Sequence, residues 1–178
     1  MMIISNINKI FLIGFCILLN IPVNGYSQKI YRSNDRWGSF KGDCISLIDG
    51  NKIYQASGPF CNQGNCMYLV ENNKVFKTSG AFCSFKERCA FILDGKYFYE
   101  CSDAFGNFVD NMVFIIEGNK IYKAVNNFSR GDCLYIVEEN KVYNSFNPFG
   151  SMKDDCILII DGEDWSWPAL LAVLARRF

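Results

Sequence analysis

Histidine is missing altogether from this 178-residue chain. Its absence removes Ser-His-Asp and Cys-His nucleophilic sites, histidine-containing zinc sites and the commonest general base. Cys-x-x-Cys is missing too. The closest cysteine pairs of the mature chain, Cys61 with Cys66 and Cys83 with Cys89, are more widely spaced than structural zinc sites use. There is no excess of either charge: 18 basic residues face 18 acidic ones. Lys and Arg are scattered along the chain, so it carries no basic stripe of the kind that holds nucleic acid. No apolar run reaches the about 20 residues of a membrane-spanning helix. These absences point to a protein without metal, cofactor or nucleic-acid partner.

What is present begins with a leader. Lys9 precedes an apolar run over residues 10–19, and Asn20-Ile21-Pro22-Val23-Asn24-Gly25-Tyr26-Ser27 then supplies a helix breaker and small residues. That order is the one found in secretory signal peptides. Residues 1–27 are therefore read as a signal peptide cleaved after Gly25 or Ser27, giving a secreted, periplasmic or cell-surface protein. The mature chain keeps Cys44, Cys61, Cys66, Cys83, Cys89, Cys101, Cys133 and Cys156. An oxidising compartment allows disulfides among them, and eight cysteines admit 105 complete pairings.

Over residues 28–164 one pattern returns six times, at a spacing of roughly 21 to 24 residues. Its first strand begins at Ile30-Tyr31, Ile53-Tyr54, Val75-Phe76, Tyr97-Phe98, Ile121-Tyr122 and Val142-Tyr143. These β-branched and aromatic residues suit a pleated, half-buried surface. Its second strand runs over residues 44–48, 66–70, 89–93, 112–116, 133–137 and 156–160. The second and fourth positions are apolar in every copy (Ile45 and Leu47, Met67 and Leu69), which predicts one core-facing side at period 2. The third position varies from Ser46 to Tyr68, Phe91, Phe114, Tyr135 and Leu158. Asp49-Gly50-Asn51 and its counterparts supply the Gly and Asn that tight hairpin turns need. Within each copy Trp37-Gly38, Phe60-Cys61, Phe82-Cys83, Phe105-Gly106, Phe128-Ser129 and Phe149-Gly150 mark a looser bend, whose aromatic is expected to cover the end of the core.

Five complete hairpins result, with one strand left over at each end. Pairing the strand at Ile30 with the strand at Cys156 removes both exposed edges, so a closed body is expected rather than an open sheet. A β-trefoil, the main rival, would show similarity strongest at every second copy. Residues 165–178 depart from the pattern. Ser166 is a candidate N-cap, Pro168 suits a first turn, and the segment from Pro168 to Leu174 is apolar all round, which for a helix implies burial. The expected fold is all-β: a radial, closed array of five to six tandem β-hairpin repeats with a short apolar C-terminal helix capping one end.

The leader, the tandem Ile-Tyr-x-x-x-x-Phe-Gly … Cys-Ile-x-Ile-Asp-Gly units and the apolar Ala/Leu helix together resemble the β-flower repeat proteins, in particular the small exported bacterial 5-fold beta-flower kind. The resemblance implies hairpins arranged radially and brings no activity or catalytic residues with it.

Copies two and three alone pair a loop cysteine with a strand cysteine just downstream, which makes Cys61–Cys66 and Cys83–Cys89 candidate local bridges; buried unbridged cysteines are the competing reading. Tyr54, Tyr68, Tyr122, Tyr135 and Tyr143 are candidate ligand-facing aromatics, since rings offer flat apolar faces to sugars. Most carboxylates fall in turns, and Glu100, Asp103 and Asp110 are the exceptions. The sequence thus leads to a secreted, monomeric, non-catalytic repeat domain of structural or interaction role, with a glycan or protein surface as partner. A multivalent carbohydrate-binding module is the alternative, and an enzyme comes third.

Overall fold

The computed structural model describes residues 27–127, 129–162 and 165–176. All of the expected leader but Ser27 lies outside them, as does Phe128. Twelve strands follow one another: β1 Gln28–Ser33, β2 Lys41–Asp49, β3 Lys52–Ser57, β4 Asn62–Glu71, β5 Lys74–Ser79, β6 Phe85–Asp94, β7 Tyr97–Cys101, β8 Val109–Glu117, β9 Lys120–Asn126, β10 Ser129–Glu138, β11 Lys141–Ser145 and β12 Lys153–Asp161. A single helix, α1 Trp167–Ala175, ends the described chain. Each strand pairs antiparallel with its neighbours in sequence, and β1 pairs with β12, so the sheet is a closed barrel without edges.

The tight turns follow from local chemistry. Each is a two-residue connection whose first residue has positive φ: Gly50 (57°), Asn72 (56°), Gly95 (57°), Gly118 (63°) and Glu139 (52°). They set one register throughout. Ile48 faces Ile53 and Leu47 faces Tyr54 across β2 and β3, and Val137 faces Val142 and Ile136 faces Tyr143 across β10 and β11. The closing pair reproduces that register without a turn, Ile160 facing Ile30 and Ile159 facing Tyr31. In the fourth copy the two-residue turn Gly95-Lys96 places Phe98 opposite Leu93 and Tyr99 opposite Ile92. The strand pair there is therefore Phe98-Tyr99, one residue later than the expected Tyr97-Phe98, because that copy has Lys96 where others have an asparagine.

Across the looser bends the register slips by one residue at equivalent points. Ile30 faces Ser46 but Tyr31 faces Cys44, and Ile53 faces Tyr68 but Tyr54 faces Cys66. The extra residue is the second-position one, Ile45, Met67, Ala90, Val113, Leu134 or Ile157. A bulge of this kind breaks the two-residue alternation. It overturns the expected core face. The second position packs inward, but the fourth (Leu47, Ile92, Ile115, Ile136, Ile159) lies in clusters apart from the central core, together with the strand-leading cysteines. The third position, variable in sequence and lying between the two expected core-facing ones, fills the lumen through Tyr68, Phe114, Tyr135 and Leu158. Its side chains vary because they fit around a helix.

That helix is α1. Ser166 stands at its N-cap in extended backbone, its carbonyl accepting from Leu170 N at 3.1 Å, and Pro168 occupies the first turn. Pro168, Ala169, Leu170, Leu171, Ala172, Val173 and Leu174 are all buried. Seven consecutive buried residues occupy every face of a helix. Their cluster includes a side chain from each of the twelve strands, among them Ile30, Ile53, Val75, Phe98, Ile121 and Val142. The helix thus lies inside the lumen, not across one mouth as a cap. An aliphatic side chain fully buried in this way contributes about 1.5–3 kcal/mol. The barrel is hollow without the helix, and the helix has no polar face without the barrel.

Candidate functional site

The bulges turn Cys44, Cys66, Cys89, Cys133 and Cys156 into the outer layer, where the loop of the following strand pair folds over them. The bulge amide is taken up by that loop: Cys156 N donates to Arg36 O at 2.9 Å, Cys89 N to Ala104 O at 2.8 Å and Cys133 N to Pro148 O at 2.8 Å. Met112 N donates instead to the side chain of Asn127, at 2.8 Å to Oδ1. The loop residue that arrives over the sulfur has positive φ. A Cβ on Gly38, Gly106 or Gly150 would stand 2.7 Å from Cys156 Sγ, Cys89 Sγ or Cys133 Sγ.

In the two loops where that residue is Cys61 or Cys83, a bridge forms to the sulfur beneath. The disulfides are Cys44–Cys61 and Cys66–Cys83, both 17 residues apart, and Cys89–Cys101 within one hairpin. The expected Cys61–Cys66 and Cys83–Cys89 pairs are not formed. All four cysteines are bridged, each to another partner, because a loop reaches the preceding hairpin more closely than its own following strand. Cys133 and Cys156 are buried free thiols. Burial pushes the Cys156 thiol up from its ordinary value, and a hydrogen bond with Ser33 opposes the shift less strongly. A neutral buried thiol is a poor nucleophile. Three bridges suit an oxidising compartment. Non-reducing peptide mapping should recover Cys44–Cys61 and Cys66–Cys83, and Cys61→Ser should lower stability by about 3 kcal/mol for a loop of this length. Recovery of crosslinks between Cys61 and Cys66 would contradict the arrangement.

Tyr54, Tyr68, Tyr122, Tyr135 and Tyr143 are not ligand-facing. All are buried, at 3–8% exposure. Tyr54, Tyr122 and Tyr143 lie in the outer layer beneath the loops, and Tyr68 and Tyr135 face the lumen. Cations cover some of the outer rings, Arg130 lying 4.3 Å from the Tyr122 ring centre and Lys153 4.6 Å from that of Tyr143. The exposed rings are those expected to cover the core. Trp37, Phe60, Phe82, Phe105 and Phe149 are 67–84% exposed. The residue after each turns over the sulfur at positive φ, which leaves the aromatic on the outer side of the bend. Phe40, Phe108 and Phe146 are exposed on the same loops, and Phe85 is exposed at the first residue of β6. A sequence signal for this at two of the loops was the polar setting of the aromatic, as in Asp35-Arg36-Trp37-Gly38-Ser39 and Asn147-Pro148-Phe149-Gly150-Ser151.

An Asp or Asn side chain braces three of these loops. Asp35 Oδ1 accepts from Ser39 N at 2.7 Å and Phe40 N at 3.0 Å. Asp103 Oδ1 accepts from Asn107 N at 2.8 Å and Phe108 N at 3.0 Å. Asn147 does the same for Phe149 and Ser151. The amides of Phe108, Asn107 and Phe105 hold the Asp103 carboxyl below the ordinary aspartate range. Asp103, irregular in sequence, is thus a loop brace equivalent to Asp35, and the apparent acidic irregularity of the fourth copy shrinks to Glu100 and Asp110.

The lumen mouth at the loop end has its own ring. Arg32, Gln55, Lys77, Glu100, Lys123 and Asn144 each stand directly opposite a third-position residue: Leu158, Ser46, Tyr68, Phe91, Phe114 and Tyr135. Cross-strand partners share a face, so all six edge the lumen. Two clefts of unlike character open there. One, of about 340 Å3, is bordered by Met112, Val113, Phe114 and Leu134 with Glu100 and Lys123. The other, of about 280 Å3, is bordered by Arg32, Ser46, Gln55 and Arg176. In comparison with known proteins, the chain matches no family model, no curated protein and no solved structure.

Proposed function

We propose that this chain is an exported, non-catalytic interaction protein of the β-flower kind. In this reading six hairpin units stand radially around the C-terminal helix, and contacts are made through the exposed aromatic loops. The observation that carries the proposal is the exposure of Trp37, Phe60, Phe82, Phe105 and Phe149 at one equivalent position of five loops. Exposed large rings are costly to solubility when nothing covers them, and contiguous ones mark contact surfaces. The common register, with the sixth pair divided between β1 and β12, supports six units over five. The missing histidine and the employment of Asp35 and Asp103 as loop braces support a non-catalytic role.

Multivalent glycan binding is the second reading, favoured by the same spacing, since several equivalent rings can stack on successive sugars. The surface that retains the parent separates the cases, and a fourfold variant carrying Trp37→Ser, Phe60→Ser, Phe105→Ser and Phe149→Ser tests whether the loops carry the contact. The mature protein is expected to be retained on a glycan array or on phosphatidylcholine vesicles, and the variant to lose at least about tenfold of that retention with an unchanged melting temperature. A parent retained on neither surface, or a variant retained as well as the parent, overturns the proposal.

A further inference from the structure

The third position of the long strands is filled by Tyr68, Phe91, Phe114, Tyr135 and Leu158 in five cases and by Ser46 in the sixth. Ser46 is 2% exposed and is the smallest side chain of that series. The cleft of about 280 Å3 is bordered by Ser46. Its volume is at the small end of small-molecule sites. Two guanidinium-bearing side chains reach it from different elements, Arg32 from β1 and Arg176 from the C-terminal end of α1. Among the described residues neither is paired with a carboxylate, although Arg36 and Arg130 elsewhere on the barrel are. Arg176 lies against Met67 Sδ. Gln55, directly opposite Ser46, also borders the cleft.

The cleft on the opposite side of the ring, bordered by β7 to β10, serves as an internal comparison. At the same height it sets Lys123 beside Glu100, so its charge is balanced within itself, and its floor is apolar. The Arg32 cleft has two positive charges, no acidic side chain on its border, and two neutral hydrogen-bonding groups.

We propose that this cleft binds a small oxyanion, a carboxylate or a phosphate or sulfate ester, between Arg32 and Arg176, with Ser46 and Gln55 bonding to the rest of the molecule. Guanidinium groups meet such anions through paired, charge-assisted N–H bonds. The apolar sides of Ile45 and Val173 limit the remainder to a compact body. This inference is independent of the aromatic loops, which lie on the outside of the barrel.

The test is titration of the mature protein at constant ionic strength, with chloride as the balancing salt. Inorganic phosphate, sulfate, glucuronate and glucose 6-phosphate are the probes, followed by amide chemical shifts. Saturable shifts centred on Ser46 and Gln55 are expected with at least one probe, and the strongest of them identifies the head group. Arg32→Gln and Arg176→Gln should each weaken that binding at least about tenfold, because each removes one charge-assisted contact, whereas Lys123→Gln should leave it unchanged. Both arginines are exposed, so the variants should keep the parent's melting temperature. Ser46→Leu, which copies the residue that β12 carries at this position, should fill the cleft and abolish the shifts. No saturable shift with any probe, or equal binding by Arg32→Gln and Lys123→Gln, overturns the proposal.

Discussion

Leu171→Asp is expected to abolish cooperative thermal unfolding in plain buffer, with aggregation on purification. Leu171 is fully buried and sits in the middle of a helix that side chains of all twelve strands surround. An aspartate there has no water and no cation within the apolar cluster, and burying an unpaired charge costs several kcal/mol. The total stability of a domain this size is about 5–15 kcal/mol. The helix cannot turn the substitution outward, because residues on every side of it are buried. Withdrawal of the whole helix is the alternative, and it empties the lumen. Circular dichroism against temperature, without lipid, reads the result. A variant that melts like the parent would mean that α1 rests elsewhere.

Deletion of residues 28–36 should have an effect of similar size for a different reason. It removes β1, and with it the ladders to both β2 and β12. Ile30, 1% exposed, leaves the central core, and Cys156 N loses the carbonyl of Arg36. Two strand edges then stand open, which invites pairing between molecules. A fall in melting temperature on the order of 10 °C or more is expected, together with concentration-dependent association by light scattering. Parent-like melting of the shortened, monomeric protein would show that the ends do not support each other.

How much of this was legible in the sequence depended on how local the cause was. The tight turns were readable because Gly50, Gly95, Gly118 and Asn72 act within two residues. Closure followed from strand edges that had no other partner, and the burial of residues 168–174 from a segment with no polar face. The bulge was hidden. Ile45 and Leu47 are both apolar and two apart, so they imitate alternation, although the inserted residue turns one of them to the lumen and the other to the outer layer. The disulfides were misassigned for a related reason. Cys61 and Cys66 are close in sequence, but the loop folds backwards, so proximity in space joins residues 17 apart. The shared spacing of Cys44 to Cys61 and Cys66 to Cys83 was the available signal. The exposed aromatics were missed because large rings are usually core residues, and their exposure depends on how the next residue packs over a sulfur. The Arg32 cleft could be approached through Ser46, the one polar residue in its series, but Arg176 reaches it only through the path of the helix.

The same geometry places an untested bond at the seam of the barrel. Gly38 has φ +68°, close to that of the bridged Cys61, and its absent Cβ would stand 2.7 Å from the free Cys156 Sγ. Gly38→Cys therefore adds, between the loop after β1 and strand β12, the bond that Cys61 makes with Cys44. It would join the two ends of the ring, and a crosslink closing a loop of about 120 residues contributes about 5 kcal/mol in the chain-entropy description. Non-reducing peptide mapping of Gly38→Cys, with a melting curve taken before and after reduction, measures the closure directly. A crosslink from position 38 to Cys156 and a higher melting temperature in the oxidised form are the predicted result. A free thiol at position 38, or a crosslink to Cys44 or Cys133 instead, would contradict a barrel closed by β1 against β12.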